Sequence, residues 1–154
     1  MAYNLLKGKK GIIFGALNEM SIAWKVAEKC LEEGAEIVLT NTPLSIRMGG
    51  IQEFADKHNI PLIPADATSV EDLTNLMNEA MRHFGGKMDF ILHSIGMSLN
   101  VRKKRAYDDL DYDFLQKTLD ISAISFHKVL QTAKKLDVLN EWGSVVAFSY
   151  AAAQ

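Results

Sequence analysis

One cysteine, Cys30, and three prolines are all that this 154-residue chain holds of the residues that staple or punctuate small folds. Without a second thiol no internal disulfide can form. A chain of this length buries roughly 68–70% of its unfolded surface, so it needs neither a disulfide framework nor a structural metal. Its four histidines, His58, His83, His93 and His127, are too scattered for metal-ligand spacing, and no bound metal is expected. An excess of one charge is missing as well. Lys and Arg number 17 against 19 Asp and Glu, which excludes the basic surface of a nucleic-acid-binding domain. Apolar runs such as Gly11 to Leu17 are far shorter than the roughly 18 residues of a spanning helix, which excludes a membrane protein. Met1 to Lys7 offers no apolar secretory core, so a reducing cytosol is the expected location.

What is present is alternation. Short apolar runs take turns with segments of helical period, the pattern of parallel strands covered by helices. Strands are expected at Lys10 to Gly15, Glu36 to Thr40, Pro61 to Ala65, Met88 to Ile95 and Gly143 to Tyr150. Between them, Ser21 to Glu32 places Ala23, Val26, Ala27, Cys30 and Leu31 on one helical face, and Gly34 ends it. Leu44 to His58 has a less regular period, interrupted by Gly49-Gly50. Val70 to Phe84 repeats apolar residues at steps of three and four. Asp113 to about Asp137 reads as one long helix with a seam of Leu115, Leu119, Ser122, Phe126, Val129, Ala133 and Leu136. The seam is expected to be mostly core, with room for subunit packing. No repeat or linker divides the chain, so residues 1–154 read as a single dinucleotide-binding domain of α/β class: a Rossmann-type doubly wound parallel sheet of five strands in the order 3-2-1-4-5.

In such a sheet ligands lie beyond the carboxyl ends of the strands, at the point where strand order reverses. After the first strand, Gly15 permits close backbone approach and the following helix entrance presents free amides to a pyrophosphate. Ser21 either adds its hydroxyl to that anion site or caps the helix. A full G-x-G-x-x-G is absent, and Gly8-Lys9-Lys10 precedes the strand, where no Walker A lysine belongs. Thr40-Asn41-Thr42 brings polar groups but no carboxylate to the ribose position, and Arg47 reads either as a 2′-phosphate contact or as an exposed helix arginine, so the choice of NADH or NADPH stays open. Asp66 either accepts from an adenine amino group or turns the chain before a helix. Gly96 lets a ribose lie against the strand end, whereas His93 reads as a hydrogen-bonded core residue. Ser149 and Tyr150 put two hydroxyls beside the crevice, where the phenol either orients a carbonyl substrate or packs locally. The irregular stretch Gly96 to Tyr112, with Arg102 to Arg105 beside Asp108, Asp109 and Asp111, reads as a solvated loop.

Gly15-(five residues)-Ser21-Ile22-Ala23, Asp66-Ala67, His93-Ser94-Ile95-Gly96, Asp120-Ile121-Ser122 and Phe148-Ser149-Tyr150 together resemble the bacterial NADH-dependent enoyl-(acyl-carrier-protein) reductases, divergent short-chain dehydrogenases. Ordinary members of that superfamily look like Gly-x-x-x-Gly-x-Gly at the first turn and Asn-Ala-Gly after the fourth strand. Here Glu19, Ser21 and Ser94-Ile95-Gly96 stand in those places. The resemblance implies hydride transfer from NADH, with NADPH not excluded, to the β-carbon of a trans-2-enoyl thioester in type II fatty-acid synthesis. It also implies a tyrosine that stabilises the enolate and a lysine that holds the nicotinamide ribose. By the same likeness, Gly15, Ser21, Ile22, Asp66, Ala67, Ser94 and Gly96 line the cofactor, Met97, Ser98 and Tyr150 face the acyl group, and the assembly is a homotetramer acting on an enoyl-acyl-carrier protein. The family pattern is Tyr-(six residues)-Tyr-(six residues)-Lys, and Tyr150 matches only its first tyrosine. A chain truncated at Gln154 would therefore lack the catalytic pair and is expected to be inactive alone. The competing expectations are a non-enzymatic dinucleotide-binding module and, less well supported, a flavodoxin-like receiver, for which Asp66 alone supplies too little acid.

Overall fold

The computed structural model describes residues 2–149. Its elements are β1 (Lys10–Phe14), α1 (Ile22–Glu32), β2 (Glu36–Thr40), α2 (Pro43–Met48), α3 (Ile51–His58), α4 (Val70–Phe84), β3 (Met88–His93), α5 (Leu99–Arg102), a 3-10 turn (Tyr107–Asp109), α6 (Tyr112–Leu119), a π-helical turn (Asp120–Ile124), α7 (Ser125–Lys135) and β4 (Leu139–Ala147). The strands form one parallel sheet in the order β2-β1-β3-β4. Side chains alternate across it. Ile12, Phe14, Val38 and Ile91 pack against α4 and α7 through Leu73, Leu76, Met77 and Val129. Ile13, Ile37, Leu39 and Leu92 pack against α1 and α3 through Ala23, Trp24, Ala27 and Phe54. Covering both faces is what makes the strands read as continuous apolar runs, and each fully buried Ile or Leu contributes about 1.5–3 kcal/mol.

Four strands replace the expected five. The Pro61 to Ala65 segment runs along the free edge of β2 through Leu39 N to Pro61 O, Ile63 N to Leu39 O and Ala65 N to Asn41 O, but its pairing amounts to one isolated bridge, Leu39 with Leu62. Pro61 and Pro64 carry no N–H, which suits a sheet margin and stops a regular ladder. Counted beside β2, the segment occupies the third-strand position of the expected order.

Five other expectations need correction. The helix expected from Leu44 to His58 is two helices, because the C-cap Gly49 is extended and its backbone lies so near Leu17 that a Cβ there would sit 2.3 Å from Leu17 O. β3 ends at His93 rather than Ile95. β4 starts earlier than expected, at Leu139, but regular pairing with β3 begins only at Ser144, after an irregularity that includes Trp142 at positive φ. The long helix after residue 112 is continuous but widens at Asp120–Ile124. The wide turn rotates the seam: Val129 and Ala133 are buried, whereas Leu119 is half exposed. Within Gly96 to Tyr112, α5 and the 3-10 turn give order to what reads as a loop.

Candidate functional site

The sheet register brings its carboxyl ends level. Phe14 pairs with Thr40 on one side and with His93 on the other, and His93 pairs with Ala147. Because β1 has β2 on one flank and β3 on the other, the order of successive strands reverses at β1, and the crevice of an open α/β sheet belongs there. Gly15 forms its floor. Its N–H donates to Thr40 O at 3.1 Å, its φ is +90°, and a Cβ built on it would lie 2.0 Å from Ser94 O, so only glycine lets the two strand ends meet.

The next element is α1. Ser21 occupies the N-cap position, yet its side chain makes no cap bond and the first turn holds no acidic residue. Instead Ser21 Oγ accepts from Leu17 N and donates to Asn18 O, folding the Leu17–Ser21 turn upon itself. The helix-cap reading of its side chain is thus not met. The consequence is a helix start whose leading amides have no side-chain cap and whose dipole meets no carboxylate, a donor set suited to a pyrophosphate. By contrast α4 begins with Ser69 capping Asp72 and with Glu71 and Asp72 in its first turn. Ile22 is exposed at the mouth of α1.

At the end of β2 the polar groups serve the loops. Asn41 Nδ2 donates to Ala16 O and its Oδ1 accepts from Thr42 N, and Thr42 Oγ1 caps α2 by accepting from Ser45 N. Thr40 Oγ1 is the one buried side-chain polar atom without a partner among the described residues. Asp66 makes the turn through one carboxylate oxygen: Oδ1 accepts from Thr68 N and Oγ1, and its N–H donates to Asp72 Oδ2. Ala67 is a core residue, so it can offer a ligand only backbone.

After β3, Ser94 to Ser98 has no regular structure. Gly96 is exposed, and a Cβ added to it would meet nothing within 4 Å, so its backbone borders open space that a ligand can enter. Ser98 caps α5 at Val101 N. His93 is 2% exposed, and its Nε2 lies 2.8 Å from Ser125 Oγ, whose own proton goes to Ile121 O. Nε2 therefore carries the hydrogen of the bond. Burial pushes the imidazole below its ordinary 6.5, partly opposed by a bond to its own backbone. His93 is thus a neutral core group, as its place in a buried strand suggests. Lys128 Nζ bridges Asp120 Oδ1 and Thr68 O, both at 2.8 Å. Ser149 is exposed, and Tyr150 lies outside the described residues. Sequence reading missed Asn41 as a clasp, together with Ser125 and Lys128, whose partners are distant in the chain.

An apolar groove of about 480 Å³ lies elsewhere, on the sheet face between α1 and β4, against Val26, Phe90, Leu92, Val146 and Phe148. None of Gly15, Ser21, Asp66 or Ser94 lines it. The strand-end crevice, with its uncapped helix start, its Gly15 floor and the open backbone at Gly96, fits a dinucleotide.

Comparison with known proteins agrees. A family model described as Enoyl-(Acyl carrier protein) reductase matches residues 15–154. The enoyl-(acyl-carrier-protein) reductase (NADH) FabI of Rickettsia bellii is 33% identical over 155 residues, covering 100% of this chain and 58% of that protein. The enoyl-(acyl-carrier-protein) reductase (NADH) 2 of Rhizobium meliloti is 30% identical over 146 residues, covering 95% of this chain and 53% of the relative. Crystal structures of FabI from Alistipes finegoldii and of its NADH complex superpose with TM-scores of 0.95 and 0.96 at 73% identity. They cover 99% of this chain but 59% and 54% of theirs. The chain therefore spans little more than half the length of the relatives it matches. By the family match and by these identities, it belongs to the enoyl-(acyl carrier protein) reductase family of short-chain dehydrogenases.

Proposed function

We propose that the protein reduces a trans-2-enoyl group carried as a thioester on acyl-carrier protein, using NADH, in fatty-acid synthesis. The observation that carries this reading is the junction of Gly15 with Ser94: it brings an anion-ready helix start and an open strand end together at one crevice. NADH, when bound, supplies the hydride. The leading amides of α1, with Ser21 holding the turn and Ile22 flanking it, would bind the pyrophosphate. Asp66, through Oδ2, and the Ala67 backbone would take the adenine. Ser94 and Gly96 would lie along the nicotinamide ribose, with Met97, Ser98 and Tyr150 orienting the acyl group.

The finer expectations belong to the same proposal. We take the protein to be a cytoplasmic homotetramer, supported by the apolar side chains that α6, the π-turn and α7 leave exposed, Leu119, Ile124 and Leu130 at 49%, 48% and 38%. No helix among the described residues is long and apolar enough to cross a membrane. The test uses the intact protein. Calorimetric titration with NADH and NADPH comes first, followed by loss of NADH absorbance on adding a crotonyl or longer enoyl thioester. Saturable NADH binding and thioester-dependent oxidation are expected. Absence of either refutes the reading, and light scattering decides the tetramer.

A further inference from the structure

Two serines, Ser122 on the π-helical turn and Ser125 at the start of α7, anchor the end of β3 and the segment that follows it. Ser122 Oγ accepts from Met97 N at 2.9 Å and donates to Met97 O at 3.0 Å, so one hydroxyl engages both polar backbone groups of one residue. Three residues on, Ser125 Oγ accepts from His93 Nε2–H at the end of the strand. Between these anchors Ser94 to Met97 has no ladder or helix of its own, and its other fixed point is the contact of Ser94 O with Gly15. The wide turn Asp120–Ile124 brings Ser122 over Met97 while Ser125 remains over the sheet. The polar side chains nearest this segment are thus spent on shaping its backbone, and Gly96 is left facing open space.

We propose that Ser122 is a positioning residue: its clamp on Met97 sets the path of Ser94 to Ser98 so that Gly96 and Met97 present their backbone to the reacting end of the crevice. The inference rests on the reductase reading for what is positioned, but the clamp itself can be tested without activity. A segment with one donor and one acceptor removed should open locally while the strand behind it stays paired.

The experiment compares Ser122→Ala and Ser122→Thr with wild type in the intact protein. Amide exchange is measured without cofactor and with NADH, alongside steady-state kinetics. In Ser122→Ala the Met97 amide should exchange about fivefold to tenfold faster, the weight of one lost hydrogen bond, with residues 88–93 unchanged. The kcat should fall by about tenfold while KM for NADH rises less than twofold, since a misplaced segment harms the reacting geometry more than the phosphate contacts. Ser122→Thr keeps the oxygen and its proton and should recover most of both. Unchanged Met97 exchange in the alanine variant overturns the proposal, as does loosening spread evenly over β3 and α7, which would mark Ser122 as a residue of the fold alone. A kcat unaffected by local loosening, or a threonine variant that behaves like alanine, also overturns it. If wild type binds NADH but reduces no enoyl thioester, the reductase reading fails, and the exchange measurements alone decide the clamp.

Discussion

Replacing Gly15 with alanine separates the two demands the crevice makes on its backbone. The first is conformational: at φ +90° an L-residue costs about 1–2 kcal/mol relative to glycine. The second is steric. The new Cβ would sit 2.0 Å from Ser94 O, whereas Cβ atoms essentially never come within 3.0 Å of such an atom, so one strand end must retreat by about 1 Å. Both partners are backbone, held by Gly15 N to Thr40 O on one side and by the β3 ladder on the other, so the retreat is overpacking, worth about 1–3 kcal/mol. The sum is about 2–5 kcal/mol, or roughly 5–15 °C in Tm for a protein of this size class. Gly96→Ala is the matched control. Its Cβ enters open space, so its stability should stay within about 0.5 kcal/mol of wild type while NADH affinity drops about tenfold or more. Urea unfolding and NADH calorimetry on both variants of the intact protein provide the comparison. A Gly15→Ala protein as stable as wild type, or a Gly96→Ala protein destabilised as much as Gly15→Ala, would refute the reasoning.

His93 binds fewer protons in the folded chain than in the unfolded one, since burial holds its pKa below 6.5. Its contribution is therefore complete above the ordinary value and is lost as pH falls through it toward the depressed folded value, at up to about 1.4 kcal/mol per pH unit. Urea titrations at neutral and mildly acid pH should show this slope in wild type and a shallower one in His93→Gln; equal slopes would contradict the assignment. Glu33 is buried beneath the amino-terminal segment and accepts from Tyr3 N and Leu5 N, and these bonds, Leu5 first, hold its carboxyl below the usual 4.5. The anchor is complete above that pH and released as the carboxylate protonates below it, so Glu33→Gln should speed exchange of the Tyr3 and Leu5 amides at neutral pH with β1 unaffected. Lys128→Met removes the link from Asp120 to Thr68 O; the ion pair is partly exposed, so the expected loss is about 1 kcal/mol, read as a lower urea midpoint at unchanged slope.

The parts of this fold that can be read from sequence are those whose signal is local. β1, β2, α1 and α4 carry their own evidence, continuous apolar runs for strands covered on both faces and periods of three and four for helices with one buried face. Other features depend on what lies opposite. Pro61 and Pro64 reduce an apolar run to a single bridge, and an approach of Leu17 to Gly49 divides α2 from α3. The π-turn leaves no compositional trace; Leu119 lies at the surface and Ser122, a polar member of the expected apolar seam, is an anchor for Met97. The site follows the same division. Its location at the strand ends follows from topology, but which hydroxyl spends its bond on which backbone group is settled by partners 25 and 32 residues away.

Once those bonds are assigned, the character of the crevice changes. Asn41 is committed to Ala16 O, Thr42 and Ser98 to helix caps, Ser21 and Asp66 to their own turns, and Ser122 to Met97. What remains toward a ligand is largely main chain: the leading amides of α1, the backbone at Gly96 and the peptide of Ala67. A site that binds through its backbone constrains sequence by conformation and spacing, the positive φ at Gly15 and the turn length to Ser21, more than by the identity of charged groups. This accounts for how little the motifs of this chain say about the 2′ position of the ribose, and for why substitution should be felt most at Gly15, whose backbone joins the two strand ends, and at Ser122, which acts through Met97.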